Sequence, residues 1–162
     1  MILIMTAAFF GAQSVTPAST LFDRPIGEVM GNPTDEPLER LSLDQLSRFA
    51  ALPPARIAEM KCAGLTGWAG AKDMSSLALD DTQRKAFFDT VATIVAKDTE
   101  IDADTVAGLI HSYADEPDYR KQQGEWPAYK AEIDGDCAPM IAAVKAGSFQ
   151  PSTAPSAAVP SK

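Results

Sequence analysis

Cys62 and Cys137 are the only cysteines in the chain, and they stand where they constrain the fold most, each on an apolar stripe of helical period. Cys62 belongs with Ala58 and Leu65, and Cys137 with Ile133 and Met140. Thiols on inward-facing stripes, with no third cysteine to compete, predict a core disulfide. Such a bridge closes a loop of about 75 residues, for which the chain-entropy relation gives roughly 4 to 5 kcal/mol as an upper figure. A catalytic thiol is disfavoured. His111 is the single histidine and lies on a different predicted helix, and no basic cluster surrounds either sulfur.

Disulfides belong to oxidising compartments, and the N-terminus agrees with one. Met1 to Phe22 carries no charged side chain, and Ile2–Phe10 has the length of a signal-peptide apolar region, well short of the roughly 20 residues a membrane-spanning helix needs. Small residues suited to cleavage occur at Ala12-Gln13-Ser14 and at Thr16-Pro17-Ala18, so residues 1–18 are read as a signal peptide cut after Ser14 or Ala18. The expected location is periplasmic or secreted, with no stable membrane insertion once the leader is gone. The first charged residue is Asp23, so the mature chain keeps the net charge of −8. That charge argues against nucleic acid and anionic lipid as partners, because both are held mainly by Lys and Arg on phosphate.

Breakers mark the edges of the folded part. Pro17, Pro25, Pro33 and Pro37, with Gly27 and Gly31, leave no window for a regular helix, so residues 19–40 are expected to form an irregular arm. Residues 147–162 are mostly Pro, Ser, Ala and Thr and are expected to be a disordered tail. Residues 41–146 remain as one helical domain.

Inside that domain the pattern has helical period throughout. Ser42 with Gln45 forms a capping box for a helix from Leu43 that ends before Pro53. Pro54 opens a second helix, whose stripe of Ile57, Met60, Cys62, Leu65 and Trp68 predicts a run to Gly70. Asp80 with Gln83 caps a third, bearing Phe87, Phe88, Val91, Ile94 and Val95. Asp102 caps a fourth, whose inner face is Val106, Leu109, Ile110 and Tyr113 and which stops before Pro117. A last helix carries Tyr129, Ile133, Cys137, Met140, Ile141 and Val144. Pro139 conflicts with it, so a break at Gly135 and a restart capped by Asp136 is expected. No run alternates apolar and polar residues for long. The fold class is all-α, a small bundle of four or five helices clipped by one disulfide.

Chemistry-bearing patterns are sparse. The alternating Asp98, Glu100, Asp102 and Asp104 resemble the opening of a calcium loop, but Ala103 and Leu109 stand where such a loop needs Gly and Glu. A lone histidine makes a poor zinc site, and no serine has the glycine-flanked elbow of a hydrolase. Neither a catalytic residue, a metal ligand set nor a cofactor motif is assigned. The surface candidate is the basic stretch Arg120-Lys121-Gln122-Gln123-Gly124-Glu125 with its neighbouring rings, from which Tyr119, Arg120, Lys121 and Trp126 are taken as candidate partner contacts. The expected function is a non-enzymatic binding module that meets an envelope or periplasmic protein. The rival expectation is a small-ligand carrier or enzyme with its site inside the bundle, which requires a polar cluster in the interior.

Overall fold

Short-range capping chemistry starts three of the helices, and the computed structural model, which describes residues 41–152, shows each cap formed. The expected leader, the arm and the part of the tail beyond Ser152 lie outside the described residues. At α1 (Leu43–Ala50) the Ser42 Oγ accepts from the Gln45 N–H at 3.2 Å, while Gln45 Oε1 accepts from the Ser42 N–H at 3.0 Å. Pro54 opens α2 (Pro54–Leu65), where its missing N–H has no intrahelical partner to lose. Asp80 caps α3 (Asp81–Thr99) with a 2.8 Å bond from the Gln83 N–H, and Asp102 caps α4 (Ala103–Ser112) with a 2.8 Å bond from the Thr105 N–H. The remaining helices are the short α5 (Glu116–Gln122) and α6 (Trp126–Lys145). Among the described residues there is no strand.

Helix α2 is the centre of the bundle, packed by α3, α4 and α6. Met60 and Leu65 of α2, Val91 and Val95 of α3, Ile110 of α4, and Ile133 of α6 have no measurable exposure. Burying a side chain of this size contributes about 1.5 to 3 kcal/mol, so the apolar faces account for the assembly without special chemistry. Gly64 is what lets α2 and α4 approach. A Cβ there would lie 2.1 Å from the carbonyl oxygen of Ile110, so no side chain fits. The Cys62–Cys137 disulfide is present, fully buried, with its Cα atoms 5.4 Å apart, and it joins α2 to α6 across 75 residues of sequence.

The observed helices depart from expectation in instructive places. Helix α2 ends at Leu65 rather than running to Gly70. The chain tightens into i to i+3 bonds at Gly67 and Trp68, and the Thr66 hydroxyl donates to the Ala63 carbonyl at 2.6 Å. Helix α4 does stop before Pro117, but Pro117 opens α5, so Tyr119, Arg120 and Lys121 are helical rather than part of a connection.

Helix α6 neither stops at Gly135 nor restarts at Asp136; it continues through Pro139. The proline costs less than expected because Gly135 and Pro139 are both exposed, which leaves the Gly135 carbonyl open to water. On the opposite side Tyr129, Ile133, Cys137 and Ile141 form one buried stripe, held by the disulfide. Part of the stretch expected to be tail is packed on the bundle instead. Phe149 packs edge-on against Phe87 with ring centroids 4.9 Å apart. Ser152 donates its N–H to Glu59 at 2.7 Å and accepts from Arg56 at 2.9 Å. Arg56 also pairs with Glu59 within the same buried corner.

Candidate functional site

Lys121 and Trp126 meet where α5 joins the start of α6, with Arg120 beneath them, whereas Tyr119, two positions before Lys121 on the same helix, does not share its face. Tyr119 is 53% exposed, the more exposed of the aromatic rings here. Lys121 extends across neighbouring rings, its Nζ 4.2 Å from the centroid of Trp68 and 4.9 Å from that of Trp126. The two indoles lie 5.4 Å apart at 56°, and Trp126 also meets Tyr129 at 6.4 Å. Trp68 is nearly covered, whereas Trp126 is half-buried. The outer layer is therefore a cation resting on two indoles and paired with Asp118 at 3.2 Å.

Arg120 belongs to the inner layer. It is 5% exposed and points away from solvent. Its Nη1 donates to Glu125 at 2.5 Å and its Nη2 to Glu116 at 3.1 Å, and its guanidinium lies 5.6 Å from the Tyr129 ring centroid. Tyr129 completes the arrangement by donating its hydroxyl to Glu116 at 2.7 Å. Burial opposes the charge on Arg120, yet the hydrogen bonds and charges of Glu125 and Glu116 outweigh it and raise the pKa above the ordinary arginine value. Burial raises the pKa of the Tyr129 hydroxyl, and the Glu116 charge raises it further. The inner layer is thus an arginine held between two carboxylates, one of which also accepts from a phenol, and it ties α5 to α6.

Lys61 extends the same polar interior. Although it sits between Met60 and Cys62 on the buried side of α2, it is a lysine with only 1% exposure. Its Nζ lies 5.8 Å from the Tyr113 ring centroid. Burial pulls its pKa below the ordinary lysine value, against the upward influence of the Glu116, Glu132 and Asp136 carboxylates. The Tyr113 hydroxyl is buried without a hydrogen-bond partner among the described residues, and burial pushes its pKa up.

Sequence reasoning missed Lys61, Glu116 and the inward turn of Arg120. The Glu116–Arg120 spacing of i to i+4 was visible, but a pair at that spacing ordinarily lies on a solvated helix face. A lysine directly between two buried positions was the available sign for Lys61.

The acidic groups resolve into local structure. Asp102 is the cap of α4, and its hydrogen bonds from Thr105 hold its pKa below the ordinary value. Asp134 accepts from Lys130 at 2.5 Å and from Ser76 at 2.6 Å, which lowers its pKa likewise. Among the described residues no cluster of His, Cys, Asp and Glu is arranged to hold a metal ion, and no helix is long and apolar enough to cross a membrane. No family model, curated protein or solved structure matches the chain.

Proposed function

We propose that this protein is a non-enzymatic binding module of the periplasm or cell envelope, and that it meets a partner protein through the outer face of α5 and the start of α6. The observation that carries the reading is Lys121 lying over Trp68 and Trp126. Indole rings with a cation held over them bring large contact area at little loss of conformational freedom, which is the composition of interface anchors. The Arg120–Glu116–Tyr129 network beneath them keeps that face in one geometry before a partner arrives. The buried disulfide suits a protein that works outside the reducing cytosol.

The test replaces Tyr119 and Lys121 by Ala and compares partner recovery by gentle crosslinking in the envelope fraction, identified by mass spectrometry. Both side chains are exposed, so the helical signal and thermal midpoint should hold while recovery of the partner falls. Unchanged recovery would remove the face from consideration. Intact mass of the exported protein tests the compartment, with mature chains expected to begin at Val15 or Ser19.

The rival reading, a small-ligand carrier or enzyme with its site inside the bundle, draws on the buried group of Lys61, Tyr113, Glu116 and Arg120. It requires a ligand whose thermal stabilisation of the protein disappears in Lys61→Met.

A further inference from the structure

A cleft of about 450 Å³ opens between the end of α2, the first half of α3 and the end of α4. Its volume falls within the range of about 300 to 1,000 Å³ typical of small-molecule sites. The charge of its rim is opposite to that of the chain. Against 22 acidic and 14 basic residues overall, the cleft is lined by Arg84, Lys85 and His111 with Asp89 as its acidic residue. Lys85 donates to Asp89 at 2.5 Å. Arg84 meets Asp81 through Nη2 at 2.8 Å, but the Asp81 side chain is 94% exposed, so water competes strongly for that pair. A guanidinium carries further N–H donors and can accept a second carboxylate in fork geometry.

The remaining walls are apolar or bare. Phe88 and His111 pack with ring centroids 4.4 Å apart at 32°, joining α3 to α4 and both lining the cleft. Ala63 and Gly67 line the α2 side with almost no side-chain bulk. Aromatic rings beside a cationic rim are complementary to a planar, apolar body carrying one negative group.

We propose that this cleft binds a small aromatic carboxylate, its ring lying against the Phe88–His111 pair and its carboxylate meeting Arg84 and Lys85. Its occupancy does not require the partner proposed for the α5 face.

The test titrates the full chain with 2-naphthoate, followed by calorimetry and by amide chemical shifts. Saturable one-to-one binding is expected, with shifts concentrated at Gly67, Phe88 and His111. Arg84→Gln, at an exposed position that leaves the core untouched, should weaken binding about tenfold or more, the equivalent of one lost charge-assisted hydrogen bond. The uncharged 2-naphthylmethanol should bind more weakly by a similar factor, and Phe88→Ala should lose affinity for the ring. Equal affinity for 2-naphthylmethanol, binding that never saturates, or shifts located elsewhere would overturn the proposal. So would inorganic phosphate binding as tightly as 2-naphthoate, since the aromatic wall would then play no part.

Discussion

Tyr129 donates its hydroxyl to Glu116 across 2.7 Å of buried space, while Tyr113, equally buried one turn before α5, has no hydrogen-bond partner among the described residues. The same chemical group therefore plays opposite energetic parts in neighbouring places. In one it donates to a buried carboxylate, and in the other its burial is uncompensated.

Phenylalanine at the two positions should separate these parts. Tyr129→Phe removes a donor from the buried Glu116 and should lower stability by about 1 to 3 kcal/mol. Tyr113→Phe removes an unpaired hydroxyl while keeping the ring, and should leave stability unchanged or raise it by up to about 1 kcal/mol. Both tyrosines have raised pKa values in the fold. Above about pH 10 the unfolded chain releases phenolic protons that the fold retains, so stability falls as pH rises through that value. Each Phe variant should flatten that alkaline decline in urea titrations. Loss of stability on Tyr113→Phe equal to that of Tyr129→Phe would contradict the distinction.

Replacing both Cys62 and Cys137 by Ala should lower stability by up to about 4 to 5 kcal/mol, since the bridge removes the freedom of a 75-residue loop from the unfolded chain. Circular dichroism should still report a helical protein, because Ile133 and Ile141 flank Cys137 on the same buried stripe and keep α6 docked. An unfolded double variant would show that the bridge holds the bundle together rather than strengthening a fold the apolar core already specifies. A variant as stable as the parent would remove the bridge from the energetics.

What could be read from the residues was what short stretches decide. The Ser42–Gln45 and Asp80–Gln83 boxes and the Asp102 cap each close within a single turn, and all are present. The inward stripe of Val106, Leu109, Ile110 and Tyr113 likewise follows from period alone, and all four are buried. Pairing of the cysteines was readable because both lie on such stripes. The rest depends on what distant residues bring. Arg120 is buried only because Glu125 and Glu116 neutralise it, and Phe149 is ordered because Phe87 meets it from another helix. The cleft next to Arg84 and His111 is a property of how α2, α3 and α4 cross, which no local pattern records.

Gly64 sets that crossing, and its replacement has a definite sign. Gly64→Ala would place a Cβ 2.1 Å from the Ile110 carbonyl oxygen and 2.8 Å from the Tyr113 Cβ, so helix backbone would have to move. The gain of about 1 kcal/mol in helix propensity is then outweighed by overpacking of at least about 1 to 3 kcal/mol. Gly108 provides the control, since a Cβ there meets nothing within 4 Å. Gly108→Ala should stabilise by about 0.5 to 1 kcal/mol. Thermal melts of both variants decide the matter, and a stabilised Gly64→Ala would mean that α2 and α4 do not pack this closely.

Pro139 should be replaceable with profit to stability. It lies inside α6, where it removes one backbone hydrogen bond and sets its ring against the carbonyl of Gly135. Alanine at an interior helical position is favoured over proline by about 3 kcal/mol in peptide hosts. Part of that gain is lost, because alanine frees the unfolded chain by about 0.4 to 1 kcal/mol. Exposure of both Gly135 and Pro139 reduces it further, since a carbonyl at an exposed position can be solvated. Pro139→Ala is therefore expected to raise stability by roughly 1 to 2 kcal/mol in urea denaturation, with an unchanged slope. A loss of stability would mean that the proline supplies a bend on which the packing of Cys137 and Ile141 depends, and that α6 is shaped around Pro139 rather than tolerating it.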